Sequence, residues 1–160
     1  FSYSLNLFET NILRIKLGAL DLPTSIINWI IDFLSDRYQR VKLSNSCLSE
    51  WGQVPAGVPQ GTKLGPWLFL IMINDLKKHS ENLWKYVDDT TASEVVLQGE
   101  HSEAQLIANE ILDWSNINRM QLNADKCHEI RISFARNQPE LNPISIENQI
   151  IEVVSKMMLT

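Results

Sequence analysis

Two adjacent carboxylates, Asp88 and Asp89, close the run Tyr86-Val87-Asp88-Asp89 and are followed by Thr90-Thr91. The segments Leu83 to Val87 and Thr90 to Val96 read as two short strands. The carboxylates therefore fall at the tip of a tight strand-turn-strand, where solvated side-chain oxygens can ligate a hard cation. Phosphoryl transfer to a 3′-hydroxyl needs such a site, with two Mg2+ ions about 3.5–4 Å apart stabilising the attacking and the leaving oxygen. Mg2+ takes few protein ligands and leaves positions for substrate phosphates. Two carboxylates are still not enough, because a third from another strand normally bridges both ions. Asp also favours turns, so the dipeptide alone reads as a polar turn sooner than as a metal site, and the apolar strands on both sides with the aromatic just before bring the two readings level.

A second segment supplies company for it. Pro55-Ala56-Gly57-Val58-Pro59-Gln60-Gly61-Thr62-Lys63-Leu64-Gly65-Pro66 is a Gly/Pro-rich loop leading into an apolar run. Such a loop lets the backbone approach a nucleotide or template closely, with helix N–H groups facing anions. Gln60 can offer both a donor and an acceptor to a base or sugar. As a bare pattern, a Gly/Pro loop is equally an ordinary connection.

The elements that must position these groups follow from periodicity. Residues 8 to 20 carry Phe8, Ile12, Leu13, Ile15 and Leu17 at helical spacing up to Gly18. Pro23 opens a second helix in its first turn, striped by Ile26, Ile27, Ile30, Ile31, Phe33 and Leu34. Tyr38 to Leu43 alternates as a strand, with Val41 and Leu43 on one face and Arg40 and Lys42 on the other. Ser44-Asn45-Ser46 reads as a turn and Leu48 to Val54 as the returning strand. An apolar helix is expected from about Lys63 to Leu76, with Pro66 tolerable near its start. Residues 102 to 118 read as a helix with Ala104, Ile107, Ala108 and Ile111 inward. A polar joint at Asn123-Ala124-Asp125 follows, then a strand through Ile130, Ile132 and Phe134. Ile144 to Val154, broken at Glu147-Asn148, reads as a hairpin. Trp51, Trp67, Trp84 and Trp114 are expected in the core rather than as base-stacking platforms, and His79, His101 and His128 have no ligand spacing. Strands grouped with helices set aside predict an α+β fold, with helices backing an antiparallel sheet.

Composition limits the rest. The chain has 160 residues, 44% hydrophobic and 21% charged, which suits one folded domain and argues against disorder. Cys47 and Cys127 offer neither zinc spacing nor a disulfide framework. A reducing compartment, nucleus or cytoplasm, is expected. The longest apolar run, Trp67 to Ile73, is far short of the ~20 residues that span a bilayer, and no membrane partner is expected. A net charge of −5 counts against a stand-alone nucleic-acid binder but not against one part of a longer chain. Both ends look cut.

Taken together, the segments resemble the reverse transcriptase of non-LTR (LINE-type) retrotransposons over nearly the whole chain. Gly57-Val58-Pro59-Gln60-Gly61, Leu64-Gly65-Pro66 and Ile73-Asn74-Asp75-Leu76 resemble that family's second palm motif. Tyr86 to Thr91 resembles its third, the catalytic hairpin. Leu122-Asn123 with Lys126-Cys127 resembles the fourth. Asn11-Ile12-Leu13, Trp29-Ile30 and Phe33 to Val41 resemble the stretch between the first and second motifs.

The sequence also departs from the family. Its first motif runs Asp-Phe-Ser-Lys-Ala-Phe-Asp, and the leading aspartate is the third metal ligand. Phe1-Ser2 matches the next two positions, so that aspartate would lie just before residue 1. Tyr3 stands for the lysine, Leu5 for an aromatic that screens the sugar 2′ position, and Asn6 for the second aspartate. Lys156 to Leu159 only loosely resembles the primer-grip stretch.

The resemblance implies a partial polymerase palm over 1–160, with a remnant of the fingers and no thumb. It implies RNA-directed DNA polymerisation on an RNA template, a DNA primer and dNTPs, through a two-metal Mg2+ site. Asp88 would be the direct metal ligand, with Asp89 weaker or one shell out. Gln60 and Gly61 would contact nucleotide or template, Leu5 would lie at the sugar, and Lys126 would neutralise or protonate the leaving pyrophosphate. Two readings follow. One is a polymerase domain competent beside its neighbours; the other is a decayed element copy that folds as a partial palm without chemistry.

Overall fold

The computed structural model describes residues 3–4, 9–44, 47–54, 57–59, 61–76, 82–86, 88–97, 99–134 and 141–154. In chain order the first elements are β1 (Tyr3–Ser4), α1 (Thr10–Gly18) and α2 (Thr24–Leu34). Four short strands follow: β2 (Arg37–Gln39), β3 (Lys42–Ser44), β4 (Cys47–Leu48) and β5 (Gly52–Val54). Then come α3 (Leu64–Ile73), β6 (Leu83–Tyr86), β7 (Asp89–Ala92) and α4 (Ala104–Ile117). The chain continues through β8 (Gln121–Leu122), a 3-10 turn at Ala124–Lys126, β9 (His128–Ile130), β10 (Ser145–Ile146), β11 (Gln149–Ile150) and β12 (Glu152–Val154). The chain divides into two compact units, one running from α1 to Asp75 and the other holding β1 and everything from Leu76 onward.

In the α1-to-Asp75 unit, α1 packs on both α2 and α3. Leu13 and Leu17, four residues apart and so on one face, are completely buried. Burial of each such leucine contributes roughly 1.5–3 kcal/mol. Helix α2 buries Ile27, Ile30, Ile31 and Leu34, while Ile26 and Phe33 stay exposed. The inward stripe is thus narrower than the run of apolar residues, and Phe33 instead stacks on Trp29 with ring centroids 6.1 Å apart. Pro23 takes the N-cap position with extended ψ of 135°, one residue outside the first turn. At the other end Ser35 Oγ donates to the Ile31 carbonyl at 2.7 Å and Arg37 Nε to the Leu34 carbonyl at 3.0 Å. Asp36 adopts a left-handed φ of 47°, which turns the chain out of the helix into β2. Strands β2 and β5 pair antiparallel, as do β3 and β4, forming one irregular hairpin. The turn expected at Ser44 to Ser46 falls partly outside the described residues.

Lys16 secures the end of α3. Its ammonium donates to the Met72 carbonyl at 2.6 Å and to Asp75 Oδ1 at 2.5 Å. The Lys16 side chain is only 11% exposed. A carbonyl in the last turn of a helix and a carboxylate just beyond it both attract a cation there.

In the other unit, α4 buries Ala108 and Ile111, with Ala104 and Ile107 half-buried. It packs against β8 and β10. Gln105 fixes β10 by exchanging two hydrogen bonds with the Ser145 backbone, 2.9 Å to the carbonyl and 2.8 Å from the N–H. The expected break at Glu147-Asn148 is a turn with both residues at positive φ, 49° and 67°, and it joins β10 to β11.

Several expectations are corrected. The strands do not make one antiparallel sheet: among the described residues they form separate two-stranded pairs, and β9 with β12 is parallel. Each strand is two to four residues long, and among the described residues each pairs with a single partner. The fold remains a mixture of helices and small, mostly antiparallel pairs. The strand expected through Ile130, Ile132 and Phe134 ends at Ile130, and Phe134 is 98% exposed. Likewise β7 ends at Ala92 and not at Val96. Three of the tryptophans assigned to the core, Trp51, Trp67 and Trp84, are more than half exposed, and Trp114 is half-buried. They project from a hairpin or from the outer face of a helix, where no second layer covers them within their unit. Cys47 is exposed and Cys127 buried, both as free thiols. Among the described residues no helix is long and apolar enough to cross a membrane.

Candidate active site

Strands β6 and β7 pair antiparallel through Leu83↔Ala92, Trp84↔Thr91, Lys85↔Thr90 and Tyr86↔Asp89. The last pair leaves two residues between the strands, so Asp88 lies in the turn and Asp89 is the first residue of β7. This is the hairpin expected from the sequence. A two-residue connection is the shortest common link between antiparallel strands. Thr90 is buried. Alternation along β7 therefore turns Asp89 and Thr91 to the opposite side. Asp88 and Asp89 are both half-exposed, and Tyr86 opposite them is largely exposed. Thr90, quoted in the motif but given no role from the sequence, is the buried residue that directly follows the carboxylates.

The donor set suits a hard divalent cation: two adjacent, partly hydrated carboxylates at a hairpin end, supplying oxygen only. Substrate phosphates complete such a shell, and two ions also need a bridging carboxylate. Among the described residues no three His, Cys, Asp or Glu side chains gather into one metal-holding group.

Lys126 ends the 3-10 turn after β8 and is exposed. The chain there is tied down on both sides. The Cys127 thiol donates to the Asn123 carbonyl at 3.2 Å, and Asp125 Oδ1 accepts from Gln149 Nε2 at 2.9 Å. Strand β8 itself pairs with β1 through Tyr3↔Leu122 and Ser4↔Gln121. The backbone of Tyr3-Ser4 therefore runs beside that of Gln121-Leu122.

The Gly-rich loop belongs to the α1-to-Asp75 unit. Gly57 and Gly61 have φ of 90° and 79°, conformations that a side chain disfavours. Gly61 is exposed, with open space where a Cβ would stand. Thr62 Oγ1 donates to the Pro59 carbonyl at 2.8 Å and accepts the Gly65 N–H at 3.2 Å. It thereby serves an orphan donor in the first turn of α3. Gly65 packs closely here: a Cβ on it would lie 3.3 Å from Thr62 Oγ1 and 3.4 Å from the Pro59 carbonyl. Arg37 holds the loop from behind by donating Nη2 to the Gly57 carbonyl. Thr62 and Arg37 are thus positioning residues that the motif pattern did not single out. Of the remaining expected site residues, Gln60 and Leu5 lie outside the described residues.

A family model for reverse transcriptase (RNA-dependent DNA polymerase) matches residues 10–149. The hairpin carboxylates and the Gly-rich loop both fall inside that match. The chain belongs to the reverse transcriptase family, whose members are nucleotidyltransferases that bind a template, a primer and dNTPs and generally use divalent metal ions. Comparison with curated proteins and with solved structures returned no match.

Proposed function

We propose that residues 1–160 are part of the palm of a LINE-type retrotransposon reverse transcriptase, with a remnant of its fingers, working in the nucleus or cytoplasm. The observation that carries this reading is the β6–β7 hairpin, which brings Asp88 and Asp89 together at its end. Asp88, in the turn, is the direct Mg2+ ligand, and Asp89, at the strand start, a weaker one. A bound Mg2+ pair would supply charge stabilisation to the attacking and leaving oxygens. Lys126 balances charge on the departing pyrophosphate. By the family resemblance, Gln60 and Gly61 are the residues that contact nucleotide or template, and Leu5 takes the position of the aromatic that screens the sugar 2′ position.

Residues 1–160 alone are inactive on this reading, because the chain offers two carboxylates where the two-ion site needs three. Losing one ligand removes most of the electrostatic stabilisation of the transition state. Primer extension tests this in two arms. The 160-residue chain is expected to incorporate no dNTP. A chain with Asp placed directly before Phe1, joined to fingers and thumb from a reverse transcriptase of this type, is expected to incorporate dNTP with Mg2+ and to lose this in Asp88→Ala. Incorporation by the 160-residue chain would overturn the inactivity, and incorporation unaffected by Asp88→Ala would overturn the site. The decayed-copy reading draws on Leu5 and Asn6, which replace an aromatic and an aspartate of the family's first motif. It predicts no incorporation until those positions also are restored.

A further inference from the structure

We infer that the β2–β5 hairpin carries a single-stranded nucleic-acid contact surface, with Trp51 as a base-stacking platform and Arg40 and Lys42 as phosphate contacts. This deepens the polymerase reading, on which it rests for the class of ligand.

The first observation is geometric. The Arg40 guanidinium lies over the Trp51 ring, 4.6 Å from the centroid, a cation–π arrangement that holds both groups in place. Arg40 covers one ring face, yet Trp51 is still 60% exposed, so the other face is open. Tyr38, also 60% exposed, stands two residues before Arg40 and directly opposite Gln53. Lys42, the first residue of β3, follows two residues after Arg40 and is exposed. The result is an exposed cluster: Tyr38, Arg40 and Lys42 on the outgoing arm of the hairpin, Trp51 and Gln53 on the returning one. Aromatic faces interleaved with cations are what a single strand needs, since bases stack while phosphates pair.

Charge decides between a nucleic acid and another occupant. The whole chain is acidic, at −5. Residues 37–54 run the other way, with Arg37, Arg40 and Lys42 against Glu50 alone. Among the described residues neither Arg40 nor Lys42 is neutralised by an ion pair. Arg37 is committed to the Leu34 and Gly57 carbonyls and is left out of the surface. An apolar protein face would leave these two cations uncompensated; a phosphodiester backbone neutralises them while its bases stack on the open indole face.

The test is binding of a fluorescein-labelled 20-mer of oligo(dT) or oligo(rU) to the 160-residue chain. It is read by anisotropy across a salt series with EDTA present, so that metal-dependent chemistry plays no part. Trp51→Ala is expected to weaken binding about ten-fold and Trp51→Phe to restore most of it, because stacking needs only an aromatic face. Arg40→Gln combined with Lys42→Gln should flatten the log–log salt slope by about 1.4, at roughly 0.7 per phosphate released on a single strand. Arg14→Gln, which removes an exposed cation from α1, is the control and should change neither quantity. The inference is overturned by no measurable binding or by hairpin variants that bind as the parent does. It is equally overturned by a matching loss in Arg14→Gln, or by self-association that Trp51→Ala abolishes. If Trp51→Ala fails to fold, the salt slope of the Arg40/Lys42 double variant still decides. Failure of the polymerase reading shows elsewhere, as dNTP incorporation that ignores Asp88→Ala, and leaves oligonucleotide binding untouched.

Discussion

Tyr86 and Asp89 face one another as the closing pair of an antiparallel hairpin, and this pairing puts Asp88 in the turn and Asp89 in the strand. The two carboxylates are neighbours in sequence but differ in backbone setting. A turn residue can aim its side chain at an ion beyond the hairpin tip, whereas a strand residue is committed to one side of the ribbon. The two positions are therefore not interchangeable.

In a complete enzyme carrying this segment, Asp88→Ala is expected to cut single-turnover dNTP incorporation by at least a hundred-fold, on the scale of lost transition-state stabilisation of about 3–4 kcal/mol. Asp89→Ala should cost distinctly less. Neither change should lower the urea midpoint appreciably, because both side chains are half-exposed. Equal losses from the two variants would remove the distinction between turn and strand carboxylates.

Lys16 ties α1 to the end of α3 through the Met72 carbonyl and Asp75. Lys16→Met keeps the length and apolar stem but removes both charge-assisted bonds. It is expected to destabilise the chain by about 1–2 kcal/mol, at the lower end for bonds to a charged group because Asp75 is half-exposed. Asp75→Asn should cost less, since the Met72 carbonyl still accepts. Urea unfolding of the three proteins checks the order, and a larger loss in Asp75→Asn would contradict it.

The loop before α3 depends on one backbone conformation and one hydroxyl. Gly61 has φ of 79° with open space around it, so the cost of a side chain there is conformational and not steric. Gly61→Ala should destabilise by about 1 kcal/mol and Gly61→Asn by less, because Asn tolerates the left-handed region. Thr62→Ala should cost about 1 kcal/mol through the lost contacts to Pro59 and Gly65, and Thr62→Ser almost nothing. Equilibrium unfolding of all four variants tests this; an Asn as costly as Ala at Gly61 would point to a steric cause.

The turn joining β10 and β11 offers a test in the stabilising direction. Glu147 sits at φ 49° with Asn148 at 67°, the pattern of a type I′ hairpin turn, which favours Asn and Gly. Glu147→Asn is expected to raise stability by about 0.5–1 kcal/mol, read as a higher thermal midpoint. An unchanged or lowered midpoint would mean that Glu147 makes a compensating contact.

How much of this was legible in the sequence depended on the range of the interaction involved. The four helices, the Asp88-Asp89 hairpin and the Glu147-Asn148 turn were all readable, because each is set by local spacing or by one residue's backbone preference. The same holds for the Gly-rich loop and the start of α3, where Pro59, Thr62 and Gly65 lie within six residues of one another. The four tryptophans were not readable in this way. An indole is apolar wherever it occurs, and whether it is covered depends on which element lies over it; Trp51 has the Arg40 guanidinium over its ring and stays 60% exposed. Strand partnership was equally hidden. Nothing near His128 announces a parallel partner at Glu152, and nothing in Tyr3-Ser4 announces Gln121-Leu122. Residue types and spacing thus pointed to the reverse transcriptase family and to the Asp88-Asp89 hairpin. The tertiary structure alone decided that Thr90 is buried beside that pair, that Arg37 holds the glycine loop and that Trp51 stands open to solvent. Burial and long-range pairing are properties of segments brought together across the chain, and no local pattern encodes them.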